Sequence, residues 1–381
     1  MRIIVCAAFY SPYRGGYAES VRLLAEGLAA RGHAVTVIAC DTGNSPESPA
    51  VRGVAVRRVP AWNPSFLQGS FPIPHPFAFW RELARACTEG VDILSTQTRF
   101  FPSTFFGFLF AKLHGISVVH TERGATHTHS DSFLIRTCAK IVDYTAGWLV
   151  CRFSDGTIGV SDAACAFMRR LGAHNPVTVH NGINAEWWRR PDNFVRADGF
   201  LRIVFIGRLV HAKGVGDLLA ALPRLAAEFP SLRVSIIGDG PYRGTLEGQS
   251  RALGLAHTII FHGALDSRGI RDIVWQSDMA VNPSHCEGFP RSVLETAAAG
   301  LPVVATDAGG TREIVKDGVS GLLVKERDIP ALTAALARLL EDVPLRARMG
   351  AAAALRARGF SVEFMAQSYE KNFTTHARIR R

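Results

Sequence analysis

The chain has 381 residues, 48% hydrophobic and 20% charged, which is too long for one ordinary core and apolar enough to fill two. No apolar run reaches the roughly 20 residues that cross a bilayer, and Tyr10-Ser11-Pro12-Tyr13-Arg14 interrupts the apolar start, so neither a signal peptide nor a membrane anchor is expected. The net charge of +10 is shared by both halves and suits anionic partners such as nucleotides, lipid phosphates or an anionic membrane face, while no recognition-helix or RNP-like pattern supports nucleic acid.

Short apolar runs alternate with amphipathic stretches. Arg2–Ala8 reads as a buried parallel strand, and Tyr17–Arg31 follows as a helix with Val21, Leu24 and Leu28 on one face. Strands are expected at Ala34–Ala39, Val51–Val59, Asp92–Thr96, Ile116–His120, Gly156–Val160 and Val177–His180. Helices are expected at Pro102–His114, Phe133–Phe153 and Ser161–Leu171. Asn181–Gly199, rich in Asn, Trp, Arg and Pro, reads as a hinge. A second cycle then begins: strands at Leu201–Ile206, Leu232–Gly238, Thr258–His262, Asp278–Asn282 and Pro302–Thr306, with helices at Val215–Phe229 and Arg243–Leu253. From Ile329 to about Arg358 the chain reads as helical, and Ser361–His376 as a last helix. This rhythm predicts an α/β architecture of two doubly wound, Rossmann-like domains facing across a cleft, with ligands at the carboxyl edges of the strands.

Seven cysteines are scattered along the chain with no C-x-x-C pair, which argues against a disulfide framework or a zinc site. Four turns carry chemistry. Gly207-Arg208-Leu209 with Lys213-Gly214 follows a strand and places two cations before a helix, where a diphosphate would meet fixed positive charge. Glu287-Gly288-Phe289-Pro290-Arg291 and Glu295 follow another strand, with carboxylates suited to vicinal hydroxyls. Gly238-Asp239-Gly240-Pro241 and Gly15-Gly16 are weaker turn motifs. Taken singly, solvated loop charges, helix-capping acids and plain turns explain each as well. G-x-G-x-x-G is absent, which disfavours a dinucleotide site.

In order and spacing together these motifs resemble retaining glycosyltransferases of the GT4 type (glycosyl transferases group 1, GT-B fold). Asn181-Gly182-Ile183-Asn184 and Ala299-Gly300-Leu301-Pro302 add to the resemblance, which covers most of the chain. It implies an N-terminal acceptor-binding domain over residues 1–184 and a nucleotide-sugar donor domain over 185–358. The C-terminal helix, 359–381, would return to the first domain. It further implies that Arg208 and Lys213 hold the donor diphosphate, that Glu287 binds sugar hydroxyls and that Glu295 binds the ribose. Gly16 would admit the diphosphate, with Gly15 at the acceptor-side edge. Gly238, His262, Gly288, Phe289, Pro290 and Arg291 would complete the donor-binding set. The implied catalytic residues are Arg208, Lys213 and Glu287.

No Asp-x-Asp occurs. The reaction is therefore expected to need no metal or other cofactor, the two cations stabilising the leaving phosphate instead. One departure concerns a histidine the family carries after the strand that here ends His120-Thr121-Glu122-Arg123-Gly124. One register puts Arg123 there and another His120; both remain open. His127 lies close by on the acceptor-side edge. Its H-x-H spacing with His129 reads as loop polarity rather than a metal site. The Phe-rich stretch 100–110 is core or touches lipid, Trp62–Pro76 reads as a mobile acceptor loop, and Trp187-Trp188 faces either the other domain or a membrane.

The leading expectation is a cytoplasmic transferase using a UDP- or GDP-sugar and a glycan or lipid-linked acceptor. Its place would be surface polysaccharide or lipopolysaccharide synthesis, with peripheral contact to an anionic membrane. A transferase for soluble acceptors, a sugar-nucleotide epimerase and a non-catalytic nucleotide-sugar binder are the alternatives.

Overall fold

The computed structural model describes residues 1–13, 15–41, 43, 52–64, 71–128, 132–194 and 198–377. The chain divides into two compact units. One comprises Met1–Gly182 with Val362–Arg381, the other Ile183–Ser361. Each is a parallel sheet covered by helices. Arg14 and the tail arginines Arg378, Arg380 and Arg381 fall outside the described residues, as do 65–70 of the expected acceptor loop.

The first unit holds strands β1 (Arg2–Ala7), β2 (Ala34–Asp41), β3 (Val54–Trp62), β4 (Ile73–Pro74), β5 (Ile93–Gln97), β6 (Val118–Glu122), β7 (Gly156–Gly159) and β8 (Val177–Thr178). They run in the order β4-β3-β2-β1-β5-β6-β7-β8, parallel throughout except for the antiparallel edge strand β4. β1, β5, β6 and β7 are buried almost throughout, so no exposed polar face alternates with a buried one along them. The helix Gly16–Ala30 lies against the last helix, Val362–His376, and Gly27 makes that approach possible. A Cβ there would stand 3.0 Å from Cβ of Ala366. Met365, Tyr369 and Phe373 of the last helix join the core formed by β1, β2 and that first helix.

The second unit holds β9 (Leu201–Ile206), β10 (Leu232–Ile237), β11 (Ile259–Gly263), β12 (Met279–Asn282), β13 (Val303–Thr306) and β14 (Gly321–Val324). All six are parallel, in the order β11-β10-β9-β12-β13-β14. The chain lays β10 and β11 on one side of β9, then crosses to start β12 on the other. The switch point is therefore the gap between β9 and β12, where the following loops diverge and a ligand fits. In the first unit the same logic places the switch point between β1 and β5.

Several sequence expectations are corrected. The helix expected over Ile329–Arg358 is two, Ile329–Glu341 and Val343–Ala357, because Asp342 caps the second through Leu345 N (2.8 Å) and Pro344 sits in its first turn. Phe133–Phe153 is helical throughout but carries a π-turn at Asp143–Gly147. The helix Pro76–Ala86 and strand β14 went unread. The strand expected at Val51–Val59 is displaced to Val54–Trp62, and Val51 is outside the described residues. The Phe-rich stretch packs into the core: Phe101, Phe108 and Phe110 are buried and Phe100, Phe105 and Phe106 half-buried against it. Trp188 is buried within the second unit, its carbonyl accepting from Trp275 Nε1 (2.8 Å), and Arg271 stacks over Trp187. None of the seven cysteines forms a disulfide.

Candidate active site

At the switch point of the second unit, the loop after β9 carries Arg208 and Lys213 and the loop after β12 carries Glu287. Lys213 Nζ donates to Glu287 Oε1 at 2.6 Å. Glu287 is nearly buried and Lys213 about a quarter exposed. Asn282, the last residue of β12, adds its amide Nδ2 to the same oxygen at 3.4 Å, and its own Oδ1 accepts from Ser284. The carboxylate is thus fixed before any ligand arrives.

Glycine makes the loop possible. Gly214, next to Lys213, has φ +64° and caps the helix Val215–Glu228; a Cβ there would lie 1.9 Å from the carbonyl oxygen of Pro283. The β9 and β12 loops therefore touch through backbone at this residue. His285 reinforces the contact. Its backbone N–H donates to the Ala212 carbonyl (2.8 Å) and its ring Nε2 lies 2.7 Å from Asp217 Oδ2.

Arg208 is exposed on the same loop, whose backbone is tied to the turn after β10. Gly207 N donates to Ile237 O (3.0 Å) and Leu209 N to Asp239 O (2.9 Å). Gly238 (φ +133°) allows this stacking, since a Cβ there would meet the Gly207 carbonyl at 1.9 Å. Gly238-Asp239-Gly240 is thus the floor under the Arg208 turn.

Beyond Glu287, the Gly288 carbonyl accepts from Gly310 N (3.2 Å), and Phe289 is buried edge-on against Phe360. Pro290 precedes the helix Arg291–Ala298, where Arg291 Nη2 bonds Glu295 Oε1 at 3.0 Å, both side chains nearly buried. His262 lies on β11, two strands from the switch point, bonded to Ser235 Oγ at 3.1 Å; its burial lowers its pKa. No described hydrogen bond links it to the Lys213–Glu287 pair.

In the first unit, Gly15 and Gly16 open the helix after β1, and Tyr17 beside them donates to Gln97 O at the end of β5. His120 and Arg123 are placed very differently. His120 is completely buried inside β6, its Nδ1 at 2.9 Å from Thr96 Oγ1. Arg123 stands just past the strand end, half-buried, with Nη1 on Asn181 Oδ1 (2.6 Å) and Nη2 on Gln97 Oε1 (2.9 Å). Both partners are neutral, and no carboxylate among the described residues pairs with it.

His127 Nδ1 lies 2.6 Å from Asp143 Oδ2; His129 is outside the described residues. Among the described residues no three His, Cys, Asp or Glu side chains gather as a metal site.

Motif reading missed a buried charge cluster under this edge. Arg99 takes Asp143 in a two-pronged bond (2.8 and 3.0 Å) and lies 3.1 Å from Glu122, all three buried. Burial alone would raise the Glu122 pKa. The Arg99 charge, the nearby His120 ring and the bond from Gly124 N outweigh it and hold the carboxyl at about 2. Asp143 follows Ile135 and Ala139 on the inward face of the helix and opens the π-turn Asp143–Gly147.

Two family models match the chain: "Glycosyltransferase Family 4" over residues 14–187 and "Glycosyl transferases group 1" over 189–356. Glycogen synthase of Mycobacterium tuberculosis is 29% identical over 93% of this chain and 90% of its own. Phosphatidyl-myo-inositol mannosyltransferase of Mycolicibacterium smegmatis is 29% identical over 91% and 86%. Among solved structures, sucrose-phosphate synthase from Thermosynechococcus elongatus superposes with a TM-score of 0.81 at 21% identity, covering 98% of each chain. Anabaena HepE in complex with UDP and glucose gives 0.77 at 18% identity, over 98% of this chain and 100% of that one.

Proposed function

The chain belongs to glycosyltransferase family 4 and is a GT-B glycosyltransferase, and on that premise we propose that it moves a sugar from a UDP- or GDP-sugar to a lipid-linked glycan, with retention and without a metal. The observation that carries the reading is the Lys213–Glu287 contact at the β9/β12 switch point. It sets a cation and a hydroxyl acceptor side by side where the fold receives ligands.

In this reading Arg208 and Lys213 meet the donor diphosphate. As the bond to the anomeric carbon breaks, negative charge grows on the β-phosphate, and cations already in place stabilise it without reorganisation. Glu287, anchored by Asn282, accepts from donor-sugar hydroxyls and orients the ring. Glu295, held by Arg291, accepts from the ribose hydroxyls. The leaving phosphate takes the acceptor's proton on the face it departs from, which gives retention.

Arg123 brings a positive charge to the first unit's strand edge, met by two amide oxygens and the face of the Tyr17 ring and by no described carboxylate. That suits a phosphate-bearing acceptor such as a lipid-linked glycan. The phosphatidylinositol-directed names among the relatives support this choice, and cytoplasmic surface-polymer synthesis is the setting it fits. The similarity to glycogen synthase supports a second reading, a soluble glucan acceptor.

The test is transfer of sugar from each donor to lipid-linked and soluble acceptors, with product analysis by NMR. An α-linked product from an α-donor, formed equally in the presence of EDTA, is expected. An inverted product, or activity that disappears with EDTA and returns with a divalent ion, overturns the mechanism.

A further inference from the structure

His285 grips the turn that carries Lys213 on both sides of that lysine. Its backbone N–H donates to the carbonyl of Ala212, the residue before (2.8 Å). Its ring covers Gly214, the residue after, where a Cβ would stand 3.3 Å from His285 Nε2. The same Nε2 lies 2.7 Å from Asp217 Oδ2, in the first turn of the helix that Gly214 caps. The His285 side chain is 6% exposed and that of Asp217 23%, so the bond is largely shielded from water and correspondingly firm. Glu287 is two residues further along the His285 loop. One imidazole therefore stands between the segments that present the cation and the carboxylate.

The two loops are held unequally. His211–Lys213 is a single 3-10 turn, shaped from within by Lys213 N on Val210 O (2.9 Å) and Gly214 N on His211 O (3.0 Å). Those bonds curl the turn and leave its height above the sheet open. The β12 loop is fastened to the sheet itself. Ser284 Oγ donates to Asn282 Oδ1 (2.9 Å), and Thr306 Oγ1 of β13 donates to the Ser284 carbonyl. His285 follows directly and passes that fixed position to the Lys213 turn. Lysine's four-carbon stem is flexible, so the spacing of the two backbones decides where its ammonium rests.

We propose that Asp217 and His285 are positioning residues of the donor site: their bond holds the Lys213 ammonium ready for the phosphates of a nucleoside diphosphate, and they act on that ligand through Lys213. This deepens the donor-site reading and rests on it, and binding by the parent chain tells a failure of one from a failure of the other.

The experiment is calorimetric titration of the full chain with UDP and with GDP. His285→Leu should weaken binding of the nucleotide the parent accepts by about tenfold, the worth of one hydrogen bond to a charged group. Asp217→Ala, at a partly exposed position, should do the same while its thermal midpoint stays within a few degrees of the parent. His285→Gln, whose side-chain amide can still donate to Asp217, should bind within about twofold of the parent, the margin for an interaction left intact. On a Lys213→Ala background, adding Asp217→Ala or His285→Leu should shift affinity by less than about twofold, because the side chain they place is gone. Losses that add in full on that background overturn the proposal and leave the donor site standing, since the pair then supports the loops and not Lys213. Parent-like binding by Asp217→Ala overturns it as well. A parent chain that binds neither nucleotide overturns the donor reading and this proposal together.

Discussion

Lys213 Nζ and Glu287 Oε1 lie 2.6 Å apart although 74 residues separate them in the chain. The topology makes them neighbours. β9 and β12 are adjacent in the sheet, and the two loops leaving them meet where Gly214 touches the Pro283 carbonyl. Replacing Lys213 by Ala removes the cation and leaves Glu287 with Asn282. Turnover should fall by about 10²–10³-fold, the range for removing one preorganised charge-stabilising donor. The far-ultraviolet circular dichroism should be unchanged, because Lys213 is partly exposed. Steady-state kinetics of nucleotide release check this, and parent-like kcat would remove Lys213 from the mechanism.

Gly214 is the residue on which that meeting depends. Gly214→Ala puts a Cβ 1.9 Å from a carbonyl oxygen and imposes φ +64° on an L-residue. The backbone must move, at a cost of about 1–3 kcal/mol. Urea unfolding should show the lost stability, and donor affinity should drop with it. Gly244→Ala, in the helix Arg243–Ala252 and with an added Cβ that meets nothing within 4 Å, is the control and should leave donor affinity unchanged and stability equal or higher by up to about 1 kcal/mol.

The Arg99–Glu122–Asp143 cluster predicts an acid limb of stability. Glu122 is held at about 2 in the fold, below its ordinary unfolded value of about 4.3. A depressed carboxylate contributes stability that is fully present above the unfolded pKa and lost as pH falls through the folded one. Thermal midpoints should therefore fall between about pH 4.3 and pH 2, and Glu122→Gln should flatten that limb. Arg99→Met leaves two carboxylates buried without their cation and should cost about 3–5 kcal/mol at neutral pH. A midpoint within a degree of the parent would contradict the assigned role.

Much of the fold was legible because parallel strands buried on both faces read as short apolar runs. β1, β9 and β10 stand out in the sequence for that reason. The turns after β9 and β12 were legible because glycines and cations cluster where the two loops must approach closely. β14 and the helix Pro76–Ala86 were not. Gly321–Val324 has only four residues, and the run of prolines up to Pro76 suggested a loop although Pro76 itself opens the helix. The choice between His120 and Arg123 is a question of one strand's end point. His120 is buried within β6, and Arg123 stands just beyond its end. Asn181 and Gln97, which fix Arg123, come from distant segments that no spacing rule joins.

Arg123 should act on the acceptor. Arg123→Gln keeps the size and removes the charge, so KM for a phosphate-bearing acceptor should rise at least about tenfold, the worth of one charged hydrogen bond. For an uncharged acceptor KM should stay within about twofold, a difference too small for a lost charge contact. Equal effects on both acceptors would assign Arg123 to the architecture of the edge.

The most direct measurement is the thermal midpoint of the parent and of Lys213→Ala across UDP-, GDP-, ADP- and TDP-sugars. A bound donor at about 100 times its Kd adds about 2.7 kcal/mol. The parent should rise by several degrees with one base class, and Lys213→Ala should show a clearly smaller rise with the same donors. A folded parent that responds to no nucleotide sugar, or a variant that responds as fully as the parent, would contradict a donor site at the β9/β12 edge.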